Sequence, residues 1–204
     1  MKRFLYLLTI FTVILQNCDR VDKVSLDGGG DVVTTGKVYL PDGSTASNCT
    51  MTAVPSNAVP GSDMNIPVTT TDTGGRFVFK DLLLETYNLF AKKGDFASYR
   101  KNIQLGNIER QVLPNDTLKP VGSLSGVVKL SASSDSRSVL ILVIGGTTAS
   151  WPNDSGWFSI SELAEGTYHI RFLALDYKYE IIDTSFTVIS GKATDVGTIQ
   201  LKLK

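Results

Sequence analysis

The sequence predicts an all-β protein whose folded part is two β-sandwich units in tandem, preceded by a signal peptide and a flexible linker. Apolar side chains recur at every second position in several short segments, and one such pattern occurs twice in the chain. No segment after residue 17 combines helical periodicity with capping residues. Short, regularly spaced strands of this kind are typical of β-sandwiches.

The length and composition of the chain limit the classes of function that it can have. The 204 residues suffice for one large domain or two small ones, and 42% hydrophobic residues is the level of a folded protein. The formal net charge is zero; without Lys2 and Arg3, the 20 basic residues fall to 18 against 20 acidic ones, a net charge of −2. We expect no nucleic-acid partner, because such partners require a basic face.

The N-terminus predicts export. Lys2 and Arg3 precede twelve uncharged residues, 4–15, which is the length of a signal-peptide core and too short to span a bilayer. Ordinary signal cleavage requires small residues, yet the first alanine is Ala46.

Residues 15–18 read Leu-Gln-Asn-Cys, which resembles the lipobox of bacterial lipoproteins. It departs from that pattern at Asn17, where Gly, Ala or Ser is usual. The resemblance implies that residues 1–17 are a lipoprotein signal peptide and that palmitate and related acyl chains attach to Cys18, anchoring the chain to a membrane. The alternative is an uncleaved apolar anchor with an incidental cysteine.

Residues 18–35 are polar and contain three consecutive glycines at 28–30, which predicts a flexible linker. A phosphate-binding glycine loop would need a following Lys-Ser/Thr pair and a helix, and neither is indicated here.

The internal repeat is specific. Residues 72–82 read DTGGRFVFKDL and residues 153–163 read NDSGWFSISEL, and a Thr-Tyr pair follows each at the same spacing, at 86–87 and 167–168. A Gly-x-Val motif opens each copy, at 36–38 and 126–128. Units of about 80–90 residues are in the range that folds independently.

Alternation within both copies predicts strands with one buried face. The apolar positions of this pattern are Phe77, Phe79, Tyr87, Leu89, Ala91, Phe158, Ile160, Tyr168, Ile170, Phe172 and Ala174. Residues 139–144 are continuously apolar and bounded by glycine, which predicts a strand buried on both faces. The glycine-containing turns at 72–75 and 153–156 supply the conformations that tight connections require.

Together these motifs resemble the carboxypeptidase regulatory-like domain. The resemblance implies two prealbumin-like (transthyretin-like) sandwiches of seven strands with Ig-like, Greek-key topology, at residues 36–120 and 121–204. It departs from the family at Glu85, where glycine is usual, and at residues 130–137, which lack the usual turn glycine. In the family this domain accompanies zinc carboxypeptidases and is not their catalytic part.

The chain lacks the side chains for most catalytic sites. His169 is the single histidine, so neither a zinc site nor a Ser-His-Asp site assembles, and its register predicts an exposed position. Asp72 and Asp154 lie in turns, where local hydrogen bonds explain them better than calcium binding does. Cys49 is predicted to be a buried free thiol. We expect no enzyme activity, no cofactor and no metal.

Trp151 and Trp157 are the candidate ligand-binding residues. The alternation places Trp157 opposite the core-facing Phe158, and Trp151 lies on the other side of the turn. Outward tryptophans can stack on sugar rings or anchor a protein interface. The alternative is that they pack against the neighbouring unit or cover a sheet edge.

The sequence therefore predicts a non-catalytic, lipid-anchored protein of the cell envelope. In this hypothesis its two sandwiches contact a protein partner or act as a spacer. The alternative is a carbohydrate-binding surface lipoprotein with a polysaccharide partner. Whether the inner or the outer membrane holds the anchor stays open, since Asp19 after Cys18 acts as a sorting signal only in some bacteria.

Overall fold

A computed structural model describes residues 33–62, 65–106, 110–132 and 135–204. The predicted signal peptide, Cys18 and nearly all of the predicted linker lie outside these residues. Asp31–Lys204 forms one compact unit. Its described residues form strands and one short 3₁₀ turn, Ser136–Ser138, which confirms the predicted all-β class.

Sixteen strands are present in the described part of the chain. The first nine are β1 (Val33–Tyr39), β2 (Thr50–Pro55), β3 (Val68–Thr70), β4 (Arg76–Lys80), β5 (Glu85–Lys93), β6 (Phe96–Leu105), β7 (Arg110–Val112), β8 (Asp116–Thr117) and β9 (Lys119–Pro120). The other seven are β10 (Gly122–Leu130), β11 (Val139–Ile144), β12 (Ala149–Ser150), β13 (Trp157–Leu163), β14 (Gly166–Ala174), β15 (Ile182–Val188) and β16 (Ala193–Leu201). We call β1–β9 the first sandwich and β10–β16 the second sandwich.

The two sandwiches share the same core topology, and the first has one additional edge strand, β9. In the first, β1 lies between antiparallel β4 and the parallel strands β7 and β8, and the facing sheet has the order β3-β2-β5-β6-β9. In the second, β10 lies between antiparallel β13 and parallel β16, and the facing sheet has the order β12-β11-β14-β15. The repeat in the sequence is therefore a repeat of the fold.

Each sandwich encloses its own apolar core. Phe77 and Phe79 of one sheet meet Tyr87 and Leu89 of the other in the first sandwich. The core of the second sandwich includes Phe158, Ile160, Tyr168, Ile170, Phe172 and the strand β11 side chains Val139, Ile141 and Val143. The apolar positions expected from alternation are buried in both copies, as predicted.

The Gly-x-Val motif has a packing role. Gly36 is the cross-strand partner of Phe77, and a Cβ on this glycine would lie 2.6 Å from the phenyl ring. Gly126 is likewise the partner of Phe158, with a Cβ position 3.0 Å from that ring. A larger residue would displace a core phenylalanine, which explains why glycine opens both copies.

One side chain stabilises the turn that precedes β4, and one stabilises the turn that precedes β13. Asp72 Oδ1 accepts hydrogen bonds from the backbone N–H groups of Gly74 and Arg76, at 2.8 and 2.9 Å. Asn153 Oδ1 accepts them from Ser155 and Trp157, both at 3.0 Å. This arrangement satisfies the turn backbone locally, as predicted for Asp72; in the second copy the acceptor is Asn153, and the carboxylate of Asp154 instead pairs with Arg137 at 3.3 Å.

The predicted boundary between linker and fold is corrected at the first strand. Strand β1 begins at Val33, so the last three residues of the predicted 18–35 linker belong to it. The reason is that the two threonines after Val33 suit a strand, and Thr34 is fully buried between its partners Phe79 and Gln111. The boundaries of the two predicted domains are otherwise retained as predictions.

Candidate functional site

Both tryptophans are exposed on the second sandwich. Trp151 and Trp157 have 49% and 48% of their surfaces accessible, and they flank the turn held by Asn153. The Oγ of Ser150 donates to the carbonyl of Ser159 at 3.2 Å, which joins the two flanks of this turn. The outward orientation predicted for Trp157 agrees with this exposure, and Trp151 is a second half-exposed indole on the other side of the same turn.

His169 lies on the exposed face of β14 in an ion-pair cluster. Asp183 Oδ1 is 2.8 Å from Arg171 Nε and 3.4 Å from His169 Nε2. Hydrogen bonding from the Arg171 guanidinium, with a smaller contribution from His169, lowers the pKa of Asp183. Ser185 is the cross-strand partner of His169 on the neighbouring strand.

Cys49 is a fully buried free thiol, as predicted. Its backbone N–H donates to Thr71 Oγ1 at 2.8 Å. Burial raises the pKa of the thiol to about 11, so it is protonated at neutral pH. A protonated, enclosed sulfur has neither the charge nor the access that a nucleophile requires.

An aromatic stack joins the two sandwiches. Phe90 and Tyr99 of the first sandwich stack with ring centroids 4.8 Å apart, and Tyr99 stacks on Tyr168 of the second at 4.7 Å. Tyr168 is fully buried and its hydroxyl donates to the carbonyl of Ala164 at 2.9 Å. Burial and the neighbouring Tyr99 raise the pKa of Tyr168. The core of the second sandwich thus extends onto the outer face of the first.

A buried amide crosses the same junction. Asn88 Nδ2 donates to the carbonyl of Gly145 in the second sandwich at 2.8 Å, and its Oδ1 accepts from the N–H of Asn102 at 3.0 Å. The N–H of Gly145 donates to the carbonyl of Ala58 at 2.7 Å. Gly145 has a φ of +72°, and a Cβ there would lie 2.3 Å from Asn88 Nδ2, so this glycine permits the close approach.

The covalent connection between the sandwiches is also fixed. Val121 lies between β9 and β10, and its N–H donates to the carbonyl of Asp95 at 2.9 Å. The carbonyl of Pro120 accepts from Gly191 N–H at 3.1 Å and from Ser190 Oγ at 2.9 Å. With no free segment between them, the sandwiches have little freedom to reorient at this point.

A cleft of about 560 Å³ opens beside the stack and is lined by both sandwiches. The residues that line it include the hydroxyl-bearing Thr50, Thr52, Thr147, Thr148 and Ser161. The ammonium group of Lys92 pairs with the carboxylate of Glu162 across the cleft. Its size is within the usual range for small-ligand sites, and its lining can hydrogen-bond a hydroxylated ligand.

The described residues contain no group of three or more His, Cys, Asp or Glu side chains arranged to hold a metal ion. In the same described part, no helix has the length and apolarity to cross a membrane.

The sequence interpretation missed the junction. Asn88 and Phe90 occupy outward positions of β5, and the corresponding positions of the second copy are His169 and Arg171 on its exposed face. Phe90 was the available signal, because an aromatic ring on the face that carries arginine in the other copy indicates a contact.

No protein-family model and no curated protein matches this chain. The family resemblance described above therefore rests on the motifs of the chain itself.

Solved structures similar to the chain include bacterial pilins. The minor pilin GBS52 of Streptococcus agalactiae has 14% identity and a TM-score of 0.40, covering 84% of this chain and 96% of the pilin. A streptococcal ancillary pilin has 12% identity and a TM-score of 0.42, covering 87% and 63%. A variant of the shaft pilin SpaA of Lactobacillus rhamnosus GG has 11% identity and a TM-score of 0.31, covering 85% and 98%.

Proposed function

We propose that this chain is a non-catalytic cell-envelope lipoprotein whose two sandwiches act as one rigid module. The module presents a surface to a protein partner or acts as a spacer between that partner and the membrane. The observation that carries this proposal is the junction, where aromatic stacking, a buried amide and a hydrogen-bonded connection join the two sandwiches. A pair of independent modules on a flexible linker would need none of these contacts.

The junction contacts differ in their energetic weight. Each stacked aromatic pair contributes about 0.5–1.5 kcal/mol beyond its burial. The buried amide is costly to disrupt, because a variant would leave the carbonyl of Gly145 without its donor. The exposed pairs Lys92–Glu162 and Lys119–Glu165 add little, since solvent screens them.

Rigidity can be measured by small-angle X-ray scattering on the chain from Asp19 onward. We expect the wild type to fit a single arrangement of the two sandwiches and the Tyr99→Ala variant to require an ensemble. Tyr177→Ala, which removes an exposed tyrosine outside the junction, is the matched control and should scatter like the wild type. A wild type as heterogeneous as Tyr99→Ala would reject the rigid module.

The lipid anchor is part of this proposal and rests on the lipobox-like residues 15–18. The carboxypeptidase regulatory-like assignment of both sandwiches is likewise proposed, supported by their shared topology and motifs. Metabolic labelling with palmitate tests the anchor: label should enter the wild type and the Cys49→Ala control and be lost in Cys18→Ala. Equal labelling of all three proteins would contradict the anchor.

Carbohydrate binding is the second candidate function, favoured by the two exposed indoles that flank one turn. Aromatic faces of this kind stack on sugar rings. A glycan array and retention on cell-wall polysaccharide test it, with Trp151→Ala, Trp157→Ala and the Tyr177→Ala control. Binding that the tryptophan variants lose and the control keeps would support this function. If the chain binds no glycan on the array, or if binding persists in both tryptophan variants, this function is contradicted.

A further inference from the structure

The long edge strands of the described sheets differ in how regularly they pair with the neighbouring strand. Strands β6, β13, β15 and β16 each have seven or more residues and lie at or next to a sheet edge. The pairing of β6, β13 and β16 with their neighbours is interrupted by a register shift. The seven pairs between β14 and β15 run without a shift. Bulges at an edge discourage pairing with another chain, so β15 lacks a protection that the other three have.

The equivalent edge of the first sandwich shows further protection. Strand β6 carries Arg100 and Lys101 followed by Asn102, whose φ is +58°. The Nε2 of Gln111 donates to the carbonyl of Gln104 at 2.9 Å and so occupies a backbone group of this strand. Strand β9 pairs with its first two residues. Positive charge, irregular backbone and side-chain capping are all devices that keep an edge from pairing.

Strand β15 has the opposite character. Its sequence, IDTSFTV, contains no lysine, arginine, proline or glycine and is rich in residues that favour strands. Its single charge, Asp183, is paired with Arg171 of the neighbouring strand. Among the described residues no strand pairs with its outer side. Ile181 and Ile189, which flank the strand, are 49% and 46% exposed.

We propose that β15 pairs with β15 of a second copy of this chain, antiparallel and about a two-fold axis through Ser185. This register matches the whole strand to itself: Ile182 faces Val188, Thr184 faces Phe186, and Asp183 faces Thr187. Residues that face each other in the pair lie on the same face of the sheet, so the two four-stranded sheets join as one continuous sheet with their core sides aligned.

A second copy fits this edge for electrostatic reasons. The symmetric register brings no two charges of the same sign into opposition, and it places each Asp183 carboxylate opposite a hydroxyl group of the other copy. The chain from Asp19 onward has a formal net charge of only −2, from 18 basic and 20 acidic side chains, so repulsion between the copies at long range is weak. The exposed isoleucines at the two ends of the strand become covered at the same time.

Analytical ultracentrifugation of the chain from Asp19 onward, from about 1 μM to about 1 mM, tests this pairing. We expect the wild type to associate reversibly into dimers. In the symmetric register Ser185 faces its own copy, so Ser185→Lys and Ser185→Glu each place like charges opposite one another. Each variant alone should raise the dimer dissociation constant about tenfold or more.

Mixing the two variants supplies a sharper test, because lysine then faces glutamate. An equimolar mixture should recover dimers that neither variant forms alone. The Thr167→Lys variant carries the same new charge one strand away from the edge and should dimerise like the wild type. The proposal is overturned if the wild type is monomeric throughout, if the Ser185 variants dimerise like the wild type, or if their mixture fails to recover the dimer.

Discussion

Gly166 is, after Gly145, a second residue of the second sandwich that approaches the first sandwich closely. Its φ is +154°, and a Cβ there would lie 2.6 Å from the Cδ1 atom of Tyr99, the central ring of the stack. The corresponding position of the first copy is Glu85, which begins β5. The difference between the copies at this motif therefore follows from the contact: only the copy that receives the Tyr99 ring requires glycine.

We expect Gly166→Ala to lower the free energy of unfolding by about 2–4 kcal/mol, because backbone strain and displacement of the Tyr99 ring add together. Urea denaturation followed by tryptophan fluorescence measures the change. Gly43→Ala is the control: its φ is +84° but no atom lies within 4 Å of the new Cβ, so backbone strain alone of about 1–2 kcal/mol is expected. Equal losses in the two variants would mean that the ring contact contributes nothing.

Cys49 should react slowly in the folded protein. Its pKa is raised from 9.0 to about 11, so the thiolate fraction below pH 9 falls by about 100-fold relative to an ordinary thiol. Alkylation with iodoacetamide at about pH 8 should therefore be at least that much slower in the folded chain than in urea. The Cys49→Ala variant provides the background rate. Similar rates in folded and unfolded protein would show that this thiol is accessible.

Ionisation of Cys49 should also lower the free energy of unfolding. Because folding raises the pKa, the neutral thiol is the form that the fold favours, and its contribution to stability is fully present below about pH 9. It is lost as the pH rises toward 11. Burial raises the pKa of Tyr168 and Tyr99 as well, so alkaline unfolding will combine thiol and phenol ionisation.

At the scale of elements, the turn at 72–76 and its counterpart at 153–157 show which side chains are interchangeable. Asp72 and Asn153 offer the same acceptor atom to the same two backbone N–H groups. A carboxylate and an amide oxygen therefore serve this turn equally well, and the second oxygen or nitrogen of the group is not needed for it.

We expect Asn153→Asp to be nearly neutral and Asn153→Ala to destabilise the chain by about 1–2 kcal/mol, since the alanine leaves two turn N–H groups without their acceptor. Thermal denaturation monitored by circular dichroism measures both. Asp72→Asn and Asp72→Ala repeat the comparison in the first copy. If alanine is tolerated as well as the carboxylate or amide at both sites, the side-chain acceptor does not stabilise the turn.

Strand prediction from alternation succeeded where one face of a strand meets a core. Phe77 and Phe79 of β4 and Phe158 and Ile160 of β13 are buried as their spacing predicts. It failed for Asn88, an outward residue that is 4% exposed because the second sandwich covers it. The period of a strand distinguishes its two faces but does not reveal whether the outer face meets solvent or another module.

At the scale of the molecule, the aromatic stack joins the apolar core of the second sandwich to the outer face of the first. The repeat in the sequence predicts two similar sandwiches because each copy contains its own strand pattern. Their junction could not be predicted in the same way, since Tyr99 and Gly145 lie far apart in sequence and neither stands out from its neighbours. The residues that join the two copies, such as Asn88 and Phe90, are ones at which the copies differ, so the repeated pattern does not predict the contact.

We expect the wild type to unfold in a single transition, because the stack and the Asn88 hydrogen bond couple the two cores. Differential scanning calorimetry should give one peak for the wild type and for the Tyr177→Ala control. Tyr99→Ala should separate the peak into two, since it removes both ring contacts. Two peaks in the wild type would indicate that the sandwiches fold independently of each other.

The parallel pairs β1–β8 and β10–β16 determine how the chain would carry tension. In each sandwich the first strand is a parallel neighbour of strands near the C-terminal end of that sandwich, β7 and β8 for β1 and β16 for β10, so a pull on the two ends slides one strand along the other. All hydrogen bonds of the pair then share the load, instead of breaking one after another. In the second sandwich, β10 and β16 pair at seven positions. In the first sandwich, β1 pairs at three positions with β7 and at two with β8, so its parallel pairing is divided between two short strands. Under a stretching force the first sandwich should yield before the second, so the second sandwich stays folded while the first extends.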